Sequence, residues 1–422
     1  MVEMRKPIEV SEAVKRIVSH AKTGEVEAVH INDAYGRVLG EAVIASHPVP
    51  PFDRSPYDGF AIRSQDTKAA SRENQVAFKV IETIGAGYVA SKALGPFETI
   101  RIMTGAQLPK ACDAVVKLEL TSEFERSGEK YMTIHRPYAS GENVSFQGED
   151  TEKNTVIVKK GERITPGVMA VLATFGYEYI KVAKKPIVAV FATGSELLDI
   201  SDALQPGKIR NSNALMICSQ IKRAGGTPKY LGTLKDDLTL CYASIQQAME
   251  EADMIITTGG VSVGDFDYLP DVYRQLGAEV LFNKVAMRPG SVTTVALCNE
   301  KYLFGLSGNP SASFIGFELF VRPVIRTWLF SEKPHLRKGQ AILGGDFLKP
   351  NPFTRFVGGK LCFDERGMVV VPSHFTKSNA VVMLSAIDAL IVLPGRSRDF
   401  KTGDKVNIVL LEDLKGSEWP WT

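Results

Sequence analysis

The stretch MIITTGGVSVGDFDY, residues 254–268, decides how the chain folds. Apolar Met254, Ile255 and Ile256 run into two threonines and two glycines, which reads as a strand entering a glycine-rich loop. Loops of this kind cradle phosphate through backbone amides. Asp265 and Asp267 lie in the same loop, where a bare phosphate is repelled. The loop therefore asks for a ligand that brings its own positive charge.

Working outward, KPIVAVFA (185–192) is a continuous β-branched run, the pattern of a strand buried on both faces. Residues 213–224 read as a helix stopped by Gly225-Gly226, 238–252 as helix, 253–258 as strand and 269–277 as helix. Residues 292–298 and 303–306 read as strands, and 310–330 as a last helix. This alternation predicts an open α/β sheet with helices on both faces. Near the N-terminus, 10–21 has helical periodicity with Ser11 placed to cap, and the proline-rich HPVPPFDRSPYDGFAI delivers Asp58-Gly59 to a turn. From about 60 to 135, short apolar runs between turn residues indicate a small β-rich domain. ERITPGVMAVLATFG (162–176) reads as a short helix that rejoins the N-terminal segment in a discontinuous domain, and 331–422 as a compact all-β domain. The expected fold is multidomain α/β plus β: 1–55 with 147–184, a β-rich domain 56–146, an α/β/α domain 185–330 and a C-terminal β-barrel-like domain 331–422.

At 422 residues the chain needs several cores rather than one. A net charge of +2 gives no global field for nucleic acid, and no run of ~20 apolar residues suits a membrane span. MVEMRKPIEVSEAV lacks the apolar core of a signal peptide, so the expected location is cytoplasmic. Five scattered cysteines contain no Cys-x-x-Cys pair, which disfavours zinc ribbons and dithiol chemistry. A metal acting here is expected to have oxygen ligands.

Ligands of open α/β sheets bind beyond the carboxyl ends of the strands. Four places qualify: Thr193-Gly194-Ser195-Glu196, Lys235-Asp236-Asp237, the opening loop with Gly259, Gly260 and Ser262, and Ser307-Gly308-Asn309-Pro310-Ser311. The last leaves amides at a helix start where an anion fits, although an ordinary strand-to-helix turn has the same letters. No Walker pattern is present. Glu196, Asp236, Asp265 and Asp267 would each, taken alone, read as helix caps. Four together call for a cation or basic side chains, and Lys284 and Arg288 in NKVAMRPG could supply compensation or grip an oxyanion.

SPYDGFAIR, RIMTGAQLP, ACDAVVKLE, GED, KKGERITPG, FATGSEL, KIRNSN, TTGGVSVGDFDY, VAMRPG and LSGNPSAS follow one another in an order that resembles the molybdopterin molybdenumtransferases, the MoeA family to which the gephyrin E domain belongs. The resemblance runs from about Pro7 into the C-terminal β domain. It implies that molybdate reacts with adenylylated molybdopterin, AMP leaves and the dithiolene sulfurs take up molybdenum. It further implies a homodimer with the active cleft between subunits, a transient contact with molybdopterin adenylyltransferase, and functional roles for Asp58, Thr104, Asp150, Glu196, Asp236, Asp267, Lys284, Arg288 and Ser378. Asp236 and Asp267 are the expected Mg²⁺ ligands, and Gly259, Gly260, Ser262, Ser307, Gly308 and Asn309 the expected cofactor cradle. Asp58 and Asp150 suit hydrogen bonding or acid–base work near the pterin better than metal ligation.

The chain departs from the commoner family pattern at Arg288-Pro289-Gly290-Ser291-Val292 (usually Lys-Pro-Gly-Lys-Pro), at Ser145-Phe146-Gln147 (usually arginines) and at Ser307 (usually proline). Three alternatives stay open on sequence alone: a tungstate-inserting homologue, an adenylyltransferase-like protein and a scaffold. The adenylyltransferases typically carry TTGGTG on a single domain, and a scaffold has no need of the cleft acids.

Overall fold

In the computed structural model the described residues are 6–234, 237–260, 268–373, 379–413 and 415–421. They divide into two compact units, one of 1–41, 160–166 and 179–422, the other of 42–159 and 167–178. Each carries its own sheets.

In the first unit a six-stranded sheet has the order Thr227–Leu234, Ile187–Thr193, Met254–Thr258, Lys301–Leu306, Thr294–Cys298, Glu279–Phe282. The first four strands are parallel and the last two antiparallel. Strand residues alternate between faces. Val188 and Val190 join one core with Ala214, Ile217 and Ile221, whereas Ala189 and Phe191 join the other with Cys241, Ile245 and Val272. That two-sided burial is why KPIVAVFA shows no polar alternation.

Helix Ser212–Ala224 starts at Asn211, whose side chain accepts from the Ala214 amide, and stops at Gly225 in the left-handed region (φ 105°). Helix Leu238–Glu251 is capped by Asp237, which accepts from the Leu240 amide at 2.8 Å. The last helical segment runs Pro310–Gly316, then a π-helical stretch Phe317–Val321, then Arg322–Trp328. Pro323 has no N–H to give the carbonyl four residues back, and the wide turn lies just before it.

The N-terminal helix Val10–Val18 begins after Glu9, and no side chain caps it. Ser11, expected to cap, lies inside the first turn. Val10, Ala13, Val14 and Ile17 pack into the α/β core, and the Tyr302 hydroxyl donates to the Ile17 carbonyl at 2.6 Å. Val26–His30 pairs antiparallel with Tyr179–Ala183, a join across the sequence interruption.

The C-terminal strands close on themselves. Thr354–Asp364 pairs with Gly367–Pro372, which pairs with Arg337–Leu343, then Lys405–Leu410, then Ala389–Leu393, which returns to Thr354–Asp364. This is the expected barrel, and closure leaves it without free edges. A short strand, Met287–Arg288, runs beside Thr354 and Arg355 on the outside.

In the second unit six strands have the order Ala114–Lys117, Gly59–Ile62, Glu98–Ile102, Val76–Ile84, Glu129–Ile134, Ser122–Arg126, with a core on each face. A second, two-stranded pairing joins Val43–Ile44 to Val156–Val158. The helix expected at 162–176 spans Pro166–Thr174. Among the described residues no helix is long and apolar enough to cross a membrane.

Candidate active site

Three neighbouring parallel strands end level with one another, with Ala192 beside Thr258 and Thr258 beside Leu306. The loops that follow them border a cleft of about 1000 Å³, which the start of helix Ser212–Ala224 and, from the C-terminal domain, Asn379 and Val381 also line. Thr193, Glu196, Gly259, Gly260, Ser307, Gly308 and Asn309 all face it. The expected binding position beyond the strand ends is therefore occupied by a real cavity.

Gly259 is required by the fit of these loops. Its φ is +92°, and a Cβ there would come within 2.5 Å of Thr193 Oγ1 and 2.6 Å of the Thr193 carbonyl oxygen. Its amide donates to the Leu306 carbonyl at 3.0 Å, so that N–H ties two loops together and is not free for a ligand. The Asn309 amide is likewise engaged, by Ser307 Oγ at 3.2 Å. Among the described residues, Gly260 and Gly308 keep amides without an intramolecular acceptor.

Asn213 bridges two of the loops. Its Nδ2 donates to Thr258 Oγ1 at 2.9 Å and to the Gly308 carbonyl at 2.8 Å. The Gly308 oxygen can only accept, which fixes the amide orientation and leaves Asn213 Oδ1 buried without a partner among the described residues. With the Glu196 carboxylate and the hydroxyls of Thr193 and Thr258, the described lining offers oxygen donors and neither histidine nor cysteine. That donor set suits Mg²⁺. Asp236, Ser262, Asp265, Asp267 and Ser378 lie outside the described residues.

A second cavity, about 310 Å³, shares Val292, Ser307 and Asn309 with the first and is lined by Arg288, Ser291 and Arg355. Arg288 stands directly opposite Arg355 in the strand register. Like charges so placed repel. Neither guanidinium has a carboxylate partner among the described residues. Burial, with Arg288 adding to it, lowers the Arg355 pKa. Arg355 Nε donates to the buried Asn351 Oδ1 at 2.6 Å, which holds the guanidinium in place. Sequence reasoning missed Arg355, because NPFTR (351–355) carries no motif and only the long-range pairing puts it beside Arg288. Lys284 lines neither cavity; its carbonyl accepts from the Ile8 amide at 3.1 Å.

Asp58, Thr104 and Asp150 belong to the second unit. The Asp58 carboxylate accepts from the Thr104 amide at 2.7 Å and the Thr104 hydroxyl at 2.8 Å. These bonds, the backbone one foremost, lower its pKa and keep it ionised at neutral pH. It is an acceptor and a fixed negative charge, and a poor general acid. Asp150 is exposed, with its amide donating to the Val49 carbonyl at 3.0 Å.

A mixed α/β sheet with a glycine-bounded cleft at its strand ends, a closed β-barrel beside it and a separate β-rich unit defines the class: a multidomain protein built around a molybdopterin-binding type of domain. The sequence comparisons agree segment by segment. Residues 8–176 match the MoeA N-terminal region (domain I and II), 189–327 a probable molybdopterin binding domain, and 340–411 the MoeA C-terminal region (domain IV). The chain is 54% identical over 422 residues to a molybdopterin molybdenumtransferase of Bacillus subtilis, covering 100% of this chain and 98% of that one. It is 51% identical over 418 residues to one of Staphylococcus aureus, covering 99% of each. A solved structure of the molybdopterin biosynthesis protein MoeA from Pyrococcus horikosii superimposes with a TM-score of 0.84 at 31% identity, covering 96% of this chain and 99% of that one. The chain belongs to the molybdopterin molybdenumtransferase (MoeA) family, transferases of molybdenum cofactor biosynthesis.

Proposed function

We propose that the protein inserts molybdenum from molybdate into adenylylated molybdopterin and releases AMP. The observation that carries this reading is the pair of facing arginines, Arg288 and Arg355, in a cavity that shares Val292, Ser307 and Asn309 with the glycine-bounded cleft. Two guanidiniums without a carboxylate partner among the described residues are a costly arrangement until an oxyanion sits between them, and their planar forks grip tetrahedral oxygens bidentately. In the cleft next door the Gly260 and Gly308 amides, without an acceptor among the described residues, suit phosphate oxygens. One ligand pair, an oxyanion beside a phosphoanhydride, accounts for both cavities.

Glu196, together with Asp236 and Asp267, would hold Mg²⁺. When bound, the ion supplies charge neutralisation to the phosphoanhydride. Ser307 and Asn309 border both cavities and would set the distance between the oxyanion and the phosphates. Ser378 belongs to the same reading through the family resemblance alone. Lys284 is read as acting from outside the two cavities, where its carbonyl also anchors the Ile8 amide.

The protein is further read as a homodimer in which Asp58, Thr104 and Asp150 of one subunit serve the cleft of the other, with adenylylated molybdopterin handed over during a transient contact with the adenylyltransferase. The exposed, ionised Asp58 carboxylate supports this, because it offers a fixed acceptor to the N–H groups of a pterin. The test is turnover of purified protein with adenylylated molybdopterin, Mg²⁺ and either molybdate or tungstate. AMP release that requires molybdate supports the reading. Release only with tungstate would change the oxyanion, and none with either would end the enzyme reading.

A further inference from the structure

Lys117 lies in ACDAVVKLE, a motif whose lysine has no part in the reading above. The central strand Gly59–Ile62 is flanked antiparallel by Ala114–Lys117 and Glu98–Ile102, with Gly59 opposite Lys117 on one side and Ile102 on the other. The strands approach closely there: a Cβ on Gly59 would fall 1.9 Å from the Val116 carbonyl oxygen. Three chain segments therefore meet at one end of the sheet, carrying Tyr57-Asp58, Thr104 and Lys117. The Leu118 amide donates to the Asp58 carbonyl at 3.0 Å, which ties Lys117 to the carboxylate-bearing turn.

The Lys117 ammonium rests 3.8 Å from the centroid of the Tyr57 ring. Other cations of this sheet are spent on carboxylates, Lys79 on Glu129 and Arg101 on Glu123. Lys117 is half-buried and has no carboxylate partner among the described residues. Tyr57 is itself held in place: its amide donates to the Ser55 hydroxyl at 3.3 Å, and Ser55 is fully buried. A cation–π contact is weaker than a charge-assisted hydrogen bond to a phosphate, and an ammonium on a ring face keeps donors free for such a bond.

We infer that Lys117 is a substrate-binding residue, which takes the phosphate of the phosphorylated pterin while Asp58, braced by Thr104, accepts from the pterin N–H groups. The ligand this sheet end fits carries an anionic group and N–H donors together, matching the ammonium and the carboxylate. The inference rests on the reading that Asp58 and Thr104 face substrate.

The test uses the full-length protein as wild type, Lys117→Met and Lys117→Arg. Fluorescence titration compares a pterin monophosphate with the same pterin lacking the phosphate. Wild type should bind the phosphorylated form at least about tenfold more tightly, Lys117→Met should lose that preference, and Lys117→Arg should keep most of it. In turnover, Lys117→Met should raise KM for adenylylated molybdopterin about tenfold and leave KM for molybdate in place. An unchanged phosphate preference in Lys117→Met, or equal loss in the Met and Arg variants, overturns the assignment. Because the titration needs no turnover, a protein that binds as stated but releases no AMP would sink the proposed reaction and leave Lys117 standing.

Discussion

At the scale of single residues, candidate site side chains in each unit are held by their own neighbours before any ligand arrives. Arg355 is fixed by Asn351, Asp58 by Thr104, and Asn213 by Thr258 and Gly308. Holding a charged group in place lowers the ordering cost of binding. Arg355→Met keeps the stem and removes the charge, so it should raise KM for molybdate by about 10- to 100-fold, the worth of one charge-assisted hydrogen bond or two. Steady-state kinetics at fixed pterin checks it, and an unchanged KM would move the oxyanion elsewhere. Most site residues were legible as letters after strands. Arg355 was not, because its relation to Arg288 exists only in a pairing between distant segments. Gly259 was legible as a glycine, but its loop contact, with its amide given to Leu306, was not.

At the scale of elements, the cleft is set by how helix Ser212–Ala224 lies against the segment starting at Pro310, since both begin at its wall. Glu318 joins them. Its Oε1 accepts from Gln220 Nε2 at 2.7 Å and from Arg223, and its side chain is fully buried. Arg223 also pairs with Glu412 in the tail of the C-terminal barrel. Removing one partner of a buried pair leaves the other charge uncompensated, so Glu318→Gln should destabilise the protein by about 3–5 kcal/mol. Denaturant unfolding measures this, and a change below about 1 kcal/mol would show that the pair is dispensable. Element types were readable from period and punctuation, as at KPIVAVFA and at the helix stopped by Gly225. The π-helical stretch was not, since 310–330 has one continuous apolar pattern and the only local sign is Pro323.

At the scale of the whole molecule, several cores must hold together, and a buried histidine makes their stability depend on pH. His335, 3% exposed, packs edge-on against Trp419. Burial, aided by the Arg322 charge, lowers its pKa from 6.5 to about 4. Between those values the unfolded chain binds the proton and the folded one does not. Stability is therefore full above about pH 6.5 and falls as pH drops toward 4, by roughly 2 kcal/mol at pH 5. Unfolding midpoints of wild type and His335→Gln at pH 7.5 and 5.0 test this, and the variant should show the smaller drop. The multidomain plan was visible in the changes of strand and helix pattern along the chain, and the barrel closure follows the short strands of 331–422. What no pattern in one chain conveys is which surfaces meet between copies. The proposal of a molybdenum-inserting cleft completed by a second subunit is tested most directly by intersubunit complementation. Asp58→Asn and Glu196→Gln should each be inactive alone; co-expressed and randomly paired, they should regain about a quarter of wild-type AMP release, because half of the dimers carry one intact cleft. No recovery from the mixed dimers would contradict the account.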